Sequence, residues 1–460
     1  MWVPFFSDNV VLVSRVAHFY YETNIESLII PTYFDSGHPP FYGLYIALVW
    51  LLFGKSLAVS HWAVLPFLIG IAVNYYHIAR WLLPKNLLPF ALLLLVLEPT
   101  LLAQSVTAGL DLALVFGYLT ALNGIIYRKR GLMCLAFCLM AFVNIRGIIG
   151  VMLIFCCDWI YLLSTAKQKQ QTINWFTSCV YIAKPYILPT LLVLCWYYYH
   201  YIHTGFTVFN ENSGWAHAYT YVDAKGFLRN IGIIIWRFLD FGRVFLWLLL
   251  GFLGMLWLKK RTVISYKQIQ LLLFSSLPLL VYIPMIGYRT IPILHRYFIV
   301  FFLLFSLLLV SLLPLLVQKW KQHLSITFVV LALLSGHLWV YPDHIAQGWD
   351  ASLACLPYFE QQQKMLNYIE KEAIPFEQVA TVFPAYKPLK YSRINNDMRQ
   401  LAAKDKKPLR EHPYVLYSNV MNDFSDEELL DLKNNWEIIQ AYDGITVYSR
   451  LYKNRTWEGE

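Results

Sequence analysis

Charge is scarce in this chain. Only 14% of its 460 residues are Asp, Glu, Lys or Arg, where a soluble globular chain carries about a quarter. A freely soluble enzyme or binding module is excluded. With 58% hydrophobic and 17% aromatic residues, the composition is that of a polytopic membrane protein. Cysteines are few and scattered. Cys134, Cys138, Cys156, Cys157, Cys179 and Cys195 lie in or beside apolar segments, and Cys355 stands alone in a polar region. No disulfide framework or metal spacing emerges, and apolar cysteines act as small packing residues. Internal repeats and charged low-complexity linkers are also missing. The net charge of +9 does not point to nucleic acid, because the cations sit in short clusters between apolar runs, as cytoplasmic loops do.

What is present is a series of apolar runs. Ten candidate spans, 60–83, 86–104, 109–127, 131–148, 149–165, 180–203, 232–258, 269–288, 293–318 and 323–341, approach the length of about 20 apolar residues that a crossing needs. Basic clusters follow every second one: Arg80 and Lys85, "RKR" at 128–130, Lys167 and Lys169, "KKR" at 259–261 and "KWKQ" at 319–322. The alternation places all five in the cytoplasm. The opposite side then holds residues 1–58, the turns near Asp111, Arg146 and 285–292, the loop 204–231, and everything after about 342. Residues 39–54 are too short to span and would invert the later topology, so they read as a helix lying on the outer surface. Residues 9–30, mixed polar and apolar, suit a second interfacial helix. No apolar span precedes them, and a missing first transmembrane helix is the expectation.

From about 342 the composition changes. "EQVATVF" and "PYVLYSNV" read as short buried strands. "SDEELLDLKNN" reads as a helix with Ser425 and Glu428 as a capping box, and "EIIQAYDGITVYSRLY" as two strands turning at Asp443-Gly444. The division is 1–341, a membrane-embedded domain, and 342–460, a small extracytoplasmic α/β domain without an evident catalytic constellation.

The topology gathers a short set of polar residues on the outer face: Asp8, His38, Asp111, Arg146, Glu211, His217, Asp223, His295 and Arg296. Ionisable groups in membrane segments are costly and usually face a cavity or a partner. Each also has a plain structural use. Asp8 suits a loop or cap, Asp111 a partner for a nearby cation, and Arg146 a snorkel to lipid phosphate. The histidines and Arg296 suit interfacial packing. Asp158 lies near the cytoplasmic end and reads as an interfacial acid. Together the outer set suits transfer of a group from a lipid phosphate. An Asp takes the proton of an attacking hydroxyl, and an Arg holds the departing phosphate through paired, charge-assisted hydrogen bonds.

The order of these motifs resembles the GT-C glycosyltransferases, in particular the protein O-mannosyltransferases and the aminoarabinose transferases acting on lipid A. "SDN" around Asp8 stands where that group has an acidic pair. "GHPPFYGLYIALVWLLFG" matches its interfacial helix, "LDLAL" supplies Asp111, "NIRGI" supplies Arg146 and "HRYF" supplies Arg296. Asn9 departs from the pattern by replacing the second acid. The resemblance covers roughly 5–310. It implies a polytopic α-helical fold of about ten transmembrane helices with interfacial helices and a small C-terminal α/β domain. It implies Asp8 as the catalytic base or acceptor-orienting acid, Arg146 as a contact to the donor phosphate, and His38, Asp111, His217 and Arg296 as substrate-binding residues. It leaves a divalent metal open, with His38 and His217 as ligands; no other cofactor is called for.

The expected activity is transfer of a sugar from a polyprenyl-phosphate donor to a lipid, glycan or protein hydroxyl outside a bacterial cytoplasmic membrane, as part of building the cell envelope. A transporter or flippase of lipid-linked sugars is the other reading. It fits less well, because transporters often carry repeats and mid-membrane polar sites. In intact cells, a membrane-impermeant maleimide should label Glu26→Cys and leave Lys169→Cys unmodified. The reverse pattern overturns the sidedness.

Overall fold

The computed structural model describes residues 3–208, 210, 211, 216, 220–260 and 265–457. At the N-terminal end a widened helical turn, Val10–Arg15, runs into α1 (Val16–Glu22). The prolines of "GHPP" then do what their chemistry suits. Pro40 stands at the cap of α2 (Phe41–Phe53), where no backbone N–H is required. α2 is about 20 Å long, short of the roughly 30 Å hydrocarbon core. Ile46, Ala47 and Trp50 are fully buried on one side and Leu52 and Phe53 exposed at its end, as befits a surface-lying helix packed on α1.

The remaining helices form the bundle: α3 (Leu57–Trp62), α4 (Leu65–Leu82), α5 (Leu88–Val96), α6 (Pro99–Val106), α7 (Asp111–Ile126), α8 (Arg130–Val143), α9 (Ile145–Gln168), α10 (Trp175–Thr204), α11 (Ala224–Leu239), α12 (Arg243–Lys260), α13 (Tyr266–Gly287), α14 (Ile299–Leu312) and α15 (Lys319–Ser335). Among the described residues five helices are long and apolar enough to cross a membrane, and up to seven if each of two bent pairs is one span. Each of the ten segments read from hydropathy contains helix. The segment 86–104 is bent by 53° between α5 and α6, and 232–258 by 88° between α11 and α12. α7 and α8 are short apolar helices.

The breaks have chemical causes. Glu98 caps α6, accepting from the Leu101 N–H at 2.5 Å. Its other oxygen pairs with Arg243 at the start of α12, whose Nε lies 3.0 Å away. Thr100 accepts from the same guanidinium at 2.5 Å. One buried ion pair thus fastens two helix interruptions together, and satisfies both charges where neither meets water. At the second break Phe241 and Gly242 adopt positive φ, 51° and 81°, and Gly242 lies directly against the Ala332 backbone. The expected boundary between 131–148 and 149–165 moves to Asn144, whose side chain caps α9 by accepting from the Arg146 N–H at 3.0 Å. Arg146 therefore stands in the first turn of a 24-residue helix rather than in a loop between two short ones.

The C-terminal region folds around a five-stranded sheet, order β2-β1-β3-β5-β4, with strands β1 (Val379–Thr381), β2 (Ala402–Ala403), β3 (Tyr414–Ser418), β4 (Trp436–Asp443) and β5 (Tyr448–Asn454). β1 is parallel to β2 and β3; β5 runs antiparallel to β3 and β4. α16 (Leu356–Lys371), α17 (Leu389–Arg393) and α18 (Asp426–Asn435) accompany it. Ser425 and Glu428 form the capping box of α18. The hydrophobic core of this region is separate from that of the bundle, yet includes Phe6, whose ring meets Tyr358 and Phe359 at 5.8 and 5.4 Å. The N-terminal segment is thereby threaded into the distal core.

Tight packing of α9 on α8 depends on Gly147, where any Cβ would collide with the Met140 carbonyl. Overpacking of this kind costs about 3 kcal/mol. Gly147→Leu should lower the detergent-solubilised melting temperature markedly, while Gly131→Leu, in open space at the start of α8, should leave it near wild type.

Candidate active site

Three helices begin at one place. Asp111 is the first residue of α7, Arg146 lies in the first turn of α9, and Arg296 sits in the short 3-10 turn His295–Phe298 leading into α14. Their N-terminal ends bring partial positive charge and favour anions. The basic clusters lie at the opposite ends of the same helices: Arg128 to Arg130 after α7, Lys167 and Lys169 at the end of α9, and Lys319 and Lys321 beyond α14.

Arg296 is the hub. Its Nη2 pairs with Asp8, its Nη1 lies 2.9 Å from Asp350 Oδ2, and its Nε lies 3.4 Å from Asp111 Oδ2. The second oxygen of Asp111 accepts from Arg146 Nη1 at 2.5 Å. The Tyr297 ring lies 4.3 Å beneath the Arg146 guanidinium. Three carboxylates and two guanidiniums form one connected set. Its members differ in access. Asp8 and Arg146 keep 16% and 15% of their side-chain exposure, whereas Asp111, Arg296 and Asp350 keep 3%, 3% and 7%. The first two are the more open, and each is paired to one of the buried three.

Asp8 is fixed by its neighbours. Phe5 donates its N–H to the Ser392 carbonyl at 2.8 Å, Phe6 is buried in the distal core, and Asn9 donates to the Thr107 carbonyl at 3.3 Å. Asn9 thus serves as a structural tie. His38 lies at the edge of the set. Its Nδ1 is buried without a partner. Burial, with the Arg146 charge added, pushes the imidazole down to about 4, so it is neutral at physiological pH. The loop carrying it is held by Asp35, which faces His200 Nε2 at 2.8 Å and accepts from the Gly37 N–H at 2.7 Å.

Below Asp111, Arg146 and Arg296, a narrow cleft of about 60 Å³ continues between helices, past Tyr118, Met140, Leu153 and Val300. It is charged at one end and apolar along its length, the shape for an amphiphile with an anionic head. A broader hollow on the C-terminal region, lined by Phe376, Met398 and the exposed pair Glu370–Arg399, lies apart from these charges and offers no comparable chemistry.

The structure brings together Asp8, Asp111, Arg146 and Arg296, with His38 beside them. It does not bring in the others. Glu211 is exposed in a turn, and Asp223 caps α11 by accepting from the Gly226 N–H at 2.7 Å. His295 turns away to Asp240, 2.9 Å from its Oδ2. Asp158 pairs with Arg130 at the far end of the bundle. His217 lies outside the described residues. Among those described, no group of three His, Cys, Asp or Glu could hold a metal ion. His38 has no such companions among the described residues, and its expected partner His217 lies outside them. Sequence reasoning missed Asp350. It reaches the site because Gln104 donates to its carbonyl at 2.9 Å and Thr100 donates to the Ala351 carbonyl at 3.3 Å. The only available signal was an acid within "GWDAS", a polar stretch assigned wholly to the distal domain. Burial raises the Asp350 carboxyl above its ordinary range, with Arg296 opposing.

No family model and no curated protein matches the chain. Solved structures do match. ArnT from Cupriavidus metallidurans bound to undecaprenyl phosphate aligns over 97% of this chain and 94% of its own, with 14% identity and a TM-score of 0.51. The apo state of that protein aligns over 98% and 94%, with 12% identity and a TM-score of 0.51. At such identity the likeness speaks for the fold alone: this chain shares the architecture of that protein, a helical membrane bundle with a small sheet-containing C-terminal region.

Proposed function

We propose that this protein is an integral-membrane glycosyltransferase moving a sugar from a polyprenyl-phosphate donor to a hydroxyl of a lipid, glycan or protein acceptor on the extracytoplasmic face. The observation that carries this reading is the division of access within the charge set. The two members open to a ligand are one carboxylate and one guanidinium, and the guanidinium lines the charged end of a cleft that is apolar below. The fold of ArnT, a protein crystallised with undecaprenyl phosphate, supports the choice of donor lipid.

In this reading the prenyl tail lies in the cleft past Met140 and Leu153, and the phosphate meets Arg146 at the N-terminus of α9. Asp8 accepts the proton of the acceptor hydroxyl as its oxygen attacks the anomeric carbon. The bond from that carbon to the phosphate oxygen breaks, and the charge left on the phosphate is stabilised by Arg146 and the helix N-termini. Asp111 orients Arg146, and Asp350 with Arg296 orients Asp8. Neutral His38 supplies a hydrogen-bonding group without competing for the phosphate.

A general base contributes about 10²–10⁴-fold. Asp8→Asn should therefore be expressed and folded normally yet release polyprenyl phosphate from a polyprenyl-phosphate sugar at least about a hundredfold more slowly. The assay in detergent, where no compartments exist, also excludes transport as the signal. Wild-type turnover by this variant would remove Asp8 from the mechanism. Contacts to a charged partner are worth about 1.5–3 kcal/mol, so Asp350→Asn should cost about ten- to a hundredfold in the same assay. An unchanged rate would reduce the distal carboxylate to a packing role.

A further inference from the structure

We infer that Arg15 and Lys387 form a binding site for an anionic group of the phosphate class, at the seam where the N-terminal segment meets the C-terminal region. The seam is a built contact. Ser14 Oγ donates to the Tyr391 carbonyl at 2.5 Å, and the Phe5 N–H to the Ser392 carbonyl at 2.8 Å, so α17 rests on the turn that carries Arg15.

Neither cation has a carboxylate partner among the described residues. Arg15 makes a single hydrogen bond, Nη2 to the Phe34 carbonyl at 3.2 Å. Its Cζ lies 4.6 Å from the Phe34 ring centre, and its Nε is buried without a partner. Lys387 holds its ammonium 4.7 Å over the Tyr386 ring. Both side chains are half-buried. The neighbouring cations do not relieve them: Lys55 and Lys390 share one acid, Glu22, at 3.2 and 2.8 Å. Glu22 is thus already shared by two cations and is paired with neither Arg15 nor Lys387. The acids Asp405 and Asp423 act on the neighbouring Tyr386; neither forms an ion pair with Arg15 or Lys387, and Asp405 is paired with Lys404 at 3.2 Å.

Two partly desolvated like charges in proximity are costly unless an anion compensates them. Lys387 stands two residues before α17, which rests on the turn carrying Arg15, and burial, then the Arg15 charge, hold its ammonium below the ordinary lysine range. A phosphate group, with several acceptor oxygens, matches a guanidinium and an ammonium side by side. It could belong to a bilayer headgroup or to a phosphorylated soluble or acceptor molecule. The site does not depend on the transferase reading, and its test involves no turnover.

The probe is acylation of Lys387 by an amine-reactive reagent, quantified by peptide mass spectrometry on the full chain, with exposed Lys371 as the accessibility control. A contacting anion favours the ammonium form, leaving about tenfold less reactive amine at a given pH. Inorganic pyrophosphate in detergent should slow Lys387 labelling to that degree without affecting Lys371. Slowing only in phosphatidylglycerol nanodiscs, and not in phosphatidylcholine ones, assigns the site to a lipid headgroup and equally supports it. In Arg15→Gln, unliganded Lys387 should label more slowly, since the depressing charge is gone, and added anion should change little further. If neither pyrophosphate nor the anionic nanodisc slows Lys387 relative to Lys371 in the wild-type chain, the site does not exist; the wild-type arms decide this even if the variant fails to fold.

Discussion

A guanidinium sunk at the head of a membrane bundle cannot stand alone, and the compensation of Arg296 organises this molecule. Its three carboxylates come from positions 8, 111 and 350, so satisfying one charge draws together the N-terminal segment, the start of α7 and the return of the chain after α15. Breaking a buried pair by removing one member leaves an uncompensated charge. The set is therefore as much a folding constraint as a chemical one, and its outermost members, Asp8 and Arg146, inherit their positions from the inner three.

The same logic recurs wherever the helices depart from straight spans. Glu98 with Arg243, and Asp240 with His295 and Tyr341, occupy the two bends. Each bend frees backbone groups that a membrane will not hydrate, and each is met by side chains that satisfy them. The broken helices carry polar residues inward without exposing them to lipid, and the bends flank the ends where the reactive charges gather.

Much of this was legible in the sequence. Apolar runs, basic clusters and the prolines before α2 betrayed the membrane class and the short helix at 41–53, because hydropathy and charge placement are local signals, and motif order with its family resemblance singled out Asp8, Asp111, Arg146 and Arg296, which the fold brings together. The capping box at Ser425 was legible for the same reason. What escaped depends on contacts between residues far apart in the chain. Asp350 lies 54 residues beyond Arg296 in a stretch with no local mark, and the clasp of Asp35 on His200 spans 165 positions. The bends at Glu98 and Asp240 were missed because a sliding average reads an apolar run interrupted by one acid as continuous. Only the partner cation explains why the acid is tolerated.

Phe6 lies two residues from the proposed base, in the hydrophobic interior of the distal sheet region, while Asp350 leaves that same region to touch the hub. A tilt of the distal region would therefore carry both acids with it and alter their reach to a guanidinium anchored in the bundle. In the proposed reaction, a molecule docking on the C-terminal region would gain a mechanical lever on Asp8 and Asp350, coupling its arrival to the alignment of the attacking hydroxyl.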